Sequence, residues 1–277
     1  MRYRRLICAL ALATALAATP SAAQVVDFGK YPNLKGQWAR KGNPNNWIPL
    51  AGPPPLTPEY QKVWADIQAD LKAGGPGNWP STFCIPAGMP AMMSFYDPAE
   101  IIVMPEITYI LISHNDDSYR RIYTDGRDWP EDPERTFAGY SIGKWIDEDG
   151  DGKYDVLEIE TRHLKHPRAY DASGAPLHFD AKSVVKERIY LDKADPNVLH
   201  DDITVYDDAL VRPRVSNKRY IRELRPIVWV EAICPEGNPY VQLEGEIYMR
   251  GADGKLMPAK KGQRPPDLQH FTEGANK

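Results

Sequence analysis

Short runs of alternating apolar and polar residues follow one another from residue 100 to residue 249, and they leave little choice of fold. They span 100–104, 107–113, 119–124, 140–145, 155–163, 184–191, 203–206, 218–224, 227–233 and 240–249, divided by turn-forming Gly, Pro, Asn and Asp. In 155–163, Leu157, Ile159 and Thr161 share one face and Glu158, Glu160 and Arg162 the other. In the last run Val241, Leu243 and Ile247 oppose Gln242, Glu244, Glu246 and Tyr248. Successive strand side chains point to opposite faces, so each run has one dry and one wet side. The expectation is a mainly β, antiparallel fold, either a lipocalin-like barrel around a ligand cavity or a two-sheet sandwich.

One N-terminal amphipathic helix precedes the strands. Thr57 can cap it, Pro58 suits its first turn, and Tyr60, Val63, Trp64, Ile67 and Leu71 recur at helical spacing before Gly74-Gly75 stops it. Its apolar stripe is expected to pack on a sheet. Loops rich in Pro, Gly and Asn flank it at 42–55 and 74–80.

The chain opens as a secretory signal: Arg2, Arg4 and Arg5, an apolar run over 6–18, and the small residues Ser21-Ala22-Ala23. Residues 1–23 are therefore read as a leader, 24–257 as a single β-rich domain and 258–277 as a loosely ordered tail. No later segment has the roughly 20 uninterrupted apolar residues of a membrane helix, so no membrane insertion is expected and the location is periplasmic or secreted. The formal charge is −4, and the leader holds three arginines and no acid, which leaves −7 without it. That balance excludes nucleic acid as a natural partner. Cys84 and Cys234 are the cysteines left beyond the leader, and in an oxidising compartment a disulfide between them is expected.

Several segments together resemble an exported proteobacterial family: Cys84-Ile85-Pro86-Ala87-Gly88-Met89-Pro90, Glu100-Ile101-Ile102, Arg121-Ile122-Tyr123-Thr124-Asp125-Gly126-Arg127, Gly139-Tyr140-Ser141-Ile142-Gly143-Lys144-Trp145, and Cys234 with Glu236 and Asn238. The likeness covers roughly 80–240. This chain departs from the family pattern at Trp129, where a His usually precedes the Pro, and in an acidic loop inserted after Trp145. The resemblance implies export, a β-rich fold and a common site, and no particular chemistry.

The inserted loop carries the sharpest motif. Asp147, Asp149, Asp151, Gly152, Asp155 and Glu158 stand at positions 1, 3, 5, 6, 9 and 12 of a calcium loop, with the carbonyl of Lys153 at position 7. Strands rather than helices flank it, so a structural Ca2+ or a solvated acidic hairpin are the two readings. A second constellation sits around Asp125. On a strand Arg121 and Tyr123 share a face, and the Asp125-Gly126 turn redirects Arg127, so that these four would meet at a barrel mouth with His114 nearby. Asp125 would act as base and an arginine would steady developing negative charge. The alternative is an Asp-Arg pair pinning a tight turn. His163 and His166 lack the spacing of a zinc site. A Ser-His-Asp elbow, a phosphate loop and a redox Cys-x-x-Cys pair are all absent from the sequence.

Met89, Met92, Met93, Phe95 and Tyr96 form a soft apolar stretch suited to a cavity wall or a core. Taken together, these features lead to the expectation of a barrel that handles a small apolar or aromatic molecule, by carriage or by cofactor-free acid–base chemistry of lyase or isomerase type. The rival expectation is a calcium-stabilised envelope module that works through its outer surface.

Overall fold

The computed structural model describes residues 27–40, 53–95, 98–113, 118–171, 173–180, 182–225, 229, 234 and 238–266. The leader, His114, Tyr96, most of the expected strand at 227–233 and the last part of the tail lie outside them. Nine strands close into a barrel: β1 (Gln37–Arg40), β2 (Ala99–Val103), β3 (Ile107–Ile112), β4 (Ser118–Tyr123), β5 (Tyr140–Ile146), β6 (Val156–Arg162), β7 (Val184–Leu191), β8 (Val198–Tyr206) and β9 (Arg214–Arg222). Neighbours in sequence are neighbours in the wall, and β9 returns to β1 through Trp38 opposite Arg222 and Arg40 opposite Tyr220. Of the two architectures open to the sequence, the barrel is the one adopted.

A ring with an odd number of strands cannot alternate direction all the way round, so one junction must be parallel. It falls between β4 and β5, where Ile122 lies beside Ser141. Residues 124–139 make the return that a parallel pair requires, since a short hairpin joins only antiparallel strands.

Period-two alternation is realised in the wall. Leu157, Ile159 and Thr161 are buried inside, while Glu158 and Arg188, and Glu160 with Lys186, form ion pairs on the outer face. Gly143 on β5 permits close packing: a Cβ there would lie 2.7 Å from Cγ2 of Ile122. Residues 89–95 fold against the interior. Met89, Met92, Met93 and Phe95 join the barrel core, and the Phe95 ring stacks on Tyr220 at 4.6 Å.

The helix, α1 (Pro58–Lys72), begins where expected, with Thr57 Oγ1 accepting from the Tyr60 amide. It does not lie on the sheet. Tyr60 is its one buried residue, Val63 and Leu71 are exposed, and it rests on loops: Tyr60 with Leu56 and Ala209, and Trp64 and Gln68 donating to the Ser173 carbonyl. The reason is topological. A closed wall already has its dry face filled from inside, so the helix stripe finds only connecting loops.

The long run 240–249 is two strands, β10 (Tyr240–Leu243) and β11 (Glu246–Arg250), which with β12 (Leu256–Pro258) form a separate small sheet. Glu244 and Gly245 both have positive φ, the geometry of a two-residue type I′ hairpin turn. The turn inverts the facing expected of one continuous strand: Val241 lies opposite Tyr248 and Leu243 opposite Glu246 on one face, while Ile247 joins Gln242 on the other. Cys84 and Cys234 are joined, with Cα atoms 5.5 Å apart, and Asn238 donates to the Thr82 carbonyl. The beginning of the tail is held rather than loose: Lys261 donates to the Ala73 carbonyl and Lys260 pairs with Asp70 at 3.2 Å.

Candidate functional site

The constellation around Asp125 assembles, but on the outside of the wall. Arg127 donates to Asp125 from Nη2 at 2.6 Å and from Nε at 2.9 Å, and its guanidinium lies 3.8 Å over the Tyr123 ring. Hydrogen bonds from Arg127 hold the Asp125 carboxyl below the usual range. Arg121 stacks between Tyr109 and Tyr123, and Tyr123 against Tyr140. Asp125, Arg127 and Arg121 are exposed and line no interior space, so what stands there is an ion-paired turn inside a surface stack of arginines and rings. His114, expected beside it, is outside the described residues.

In the acidic loop, Asp147, Asp149 and Asp151 bring one carboxylate oxygen each within 4.8 Å of one another. The other expected carboxylate ligands are occupied elsewhere. Asp155 accepts from the Glu148 amide at 2.8 Å, and Glu158 faces outward to Arg188.

A third group, missed by the sequence analysis, lies inside the barrel. Six consecutive strands contribute a polar side chain to it: Arg120 (β4), Ser141 (β5), Thr161 (β6), Glu187 (β7), Asp201 (β8) and Lys218 (β9). Arg120 and Glu187 form a two-pronged pair, Nη1 to Oε1 at 2.8 Å and Nη2 to Oε2 at 2.5 Å, with no exposed surface on either side chain. Arg120 also donates to Ser141 and Thr161, which bond each other at 2.8 Å.

The other half of this layer is not self-satisfied. Asp201 and Lys218 are direct cross-strand partners, a relation that brings Cβ atoms to about 5 Å. Yet they do not bond. Lys218 Nζ turns to Ser94 Oγ at 2.5 Å, and neither carboxyl oxygen of Asp201 has a partner. Burial, and next the nearby Glu187 charge, push the Asp201 carboxyl well above the usual range. Burial brings the Lys218 amine down to about 8. Asp201 has no accessible surface, whereas Lys218 and the neighbouring Ser216 keep some.

Tyr170 and Arg214 stand beside Ser216. Tyr170 donates to Ser216 Oγ at 3.2 Å, and the Arg214 guanidinium lies 4.1 Å over the Tyr170 ring. Arg214 is 3% exposed, with Asp171 no closer than 3.9 Å and both terminal nitrogens without an acceptor. A polar layer of this kind can bind, orient and exchange protons with a small molecule: a carboxyl held neutral donates, and an amine near its ionisation point accepts.

A signal for this site was present in the sequence. Glu187 stands between Val185 and Ile189, and Asp201 between Leu199 and Ile203, on what alternation makes the dry face. A charged residue in the middle of an apolar face is costly unless paired or used. Comparison with protein families, curated proteins and solved structures finds nothing that matches this chain.

Proposed function

We propose that this barrel handles a small apolar or aromatic molecule at its inner polar layer, outside the cytoplasm, with Asp201 and Lys218 as a proton donor and acceptor for cofactor-free lyase or isomerase-type chemistry. The observation that carries the reading is Asp201: a fully buried carboxyl, opposite an amine, with both oxygens unsatisfied. Leaving such a group unpaired costs about 1–3 kcal/mol, so a purely structural core would not retain it. Met92, Met93 and Phe95 supply adaptable apolar surface in the barrel core. The disulfide between Cys84 and Cys234 supports export.

A second reading rests on the outer stack of Tyr109, Arg121, Tyr123, Arg127 and Tyr140, which suits an interaction module working through its surface. Native mass spectrometry separates the two. Protein isolated gently from its own cell envelope should carry a small molecule that Asp201→Phe, which fills the interior, releases. A bare mass for the unaltered protein would sink the container and favour the outer surface.

A further inference from the structure

We propose that the interior site is built for a small organic carboxylate, whose acid group is received by the Arg214 fork. The inference rests on the container reading and names its ligand class.

Three features of the page carry it. The first is the fork itself. Alternation along β9 turns Val215 outward, 60% exposed, and Arg214, Ser216 and Lys218 inward. The two terminal nitrogens of Arg214 are buried donors with nothing to donate to. A guanidinium presents its donors as a planar fork that matches a carboxylate bidentately, and the fork's flat face is already fixed by the Tyr170 ring.

The second feature is charge. In the polar layer Arg120 and Glu187 neutralise each other, which leaves Arg214 and Lys218 facing Asp171 and Asp201. Asp171 is committed elsewhere through Oδ1, which accepts from both the Ser173 amide and its hydroxyl, and it stays at 3.9 Å from Arg214. Burial pushes the Asp201 carboxyl well above its usual range, which disfavours a negative charge there. An interior with more cation than anion favours an anionic guest, because an uncompensated buried charge is costly.

The third feature is position. Ser216 and Lys218 follow Arg214 on the same face of β9 and are only partly buried, so this face of the strand keeps accessible surface next to the fork.

Isothermal titration at pH 7 with benzoate and octanoate, set against benzyl alcohol and octanol, tests the assignment. The acids should bind at least about tenfold more tightly than the matching alcohols, the contribution of one charge-assisted hydrogen bond. Arg214→Met should abolish that preference and leave alcohol binding unchanged. Arg214→Lys, which keeps the charge without the fork, should retain part of it and covers the case in which the methionine variant does not fold. Arg219→Met, on the exposed outer face of the same strand, should change nothing. Equal binding of acids and alcohols, or an unaltered preference in both Arg214 variants, would overturn the carboxylate while leaving the container standing. Binding of neither class would take both down.

Discussion

Replacing Glu187 with leucine isolates the largest electrostatic commitment in the barrel. The acid accepts two hydrogen bonds from Arg120, and neither side chain has exposed surface, so Glu187→Leu leaves a buried guanidinium with only Ser141 and Thr161 as acceptors. Breaking a buried pair from one side typically costs about 3–5 kcal/mol, because the remaining charge keeps its desolvation penalty and loses its partner. For a chain of this size that lowers Tm by roughly 6–20 °C. Removing both charges is a different perturbation. Arg120→Met with Glu187→Leu eliminates the penalty together with the attraction, and such replacements are commonly neutral or stabilising by about 1–4 kcal/mol. Urea unfolding of the two single variants and the double, followed by circular dichroism with the slope checked for constancy, gives the coupling energy directly. A Glu187→Leu variant within about 1 kcal/mol of the parent, or a double variant as unstable as the two singles added together, would refute the description of this pair as a closed electrostatic unit.

Four further outcomes follow from the structure. Lys218 ionises at about 8 in the fold against 10.5 in a free chain, so below about pH 8 the fold bears the full cost of burying an ammonium, and between these values stability rises with pH. Lys218→Met should accordingly gain stability at pH 7, on the order of 2 kcal/mol, and lose that advantage towards pH 10. Asp201→Asn should behave in the opposite sense, gaining at pH 8 and not at pH 3, because a carboxyl raised in the fold costs stability as pH climbs past its unfolded value; melting curves across pH read both. Millimolar calcium should raise Tm through Asp147, Asp149 and Asp151, and Asp147→Asn should remove the response; an unchanged Tm in the parent protein would dismiss calcium. Replacing Cys84 and Cys234 together by serine opens a loop of 150 residues and should cost at most about 5 kcal/mol by chain entropy, measured by urea unfolding without reductant.

The outer Asp125 group and the inner Asp201 group show where reading a sequence succeeds and where it stops. Tyr123, Asp125 and Arg127 stand out in sequence because they are contiguous, and local chemistry does unite them: Asp125 and Arg127 are two residues apart and bond each other. Contiguity says nothing about which side of the wall they occupy. Asp201 is brought to Glu187, Arg120 and Lys218 only by the closing of the barrel, across separations of up to 98 residues, and in sequence Glu187 and Asp201 each look like one polar interruption in an apolar strand face. The same limit explains the acidic loop. Its spacing is legible, but whether Glu158 turns to the loop or to Arg188 depends on the register of β6 against β7.

Alternation, turn residues and capping are local, because they arise from the two-residue pleat and the 3.6-residue turn. They determined most of the barrel strands from β2 to β9, the start of α1 at Thr57 and the inner and outer residues of a strand such as β6, while β1 and the small sheet of β10 to β12 escaped them. The closure of nine strands, the parallel junction between β4 and β5, the helix lying on loops and the meeting of six polar side chains in one interior layer depend on which distant segments pair, and that is settled only when the whole ring closes.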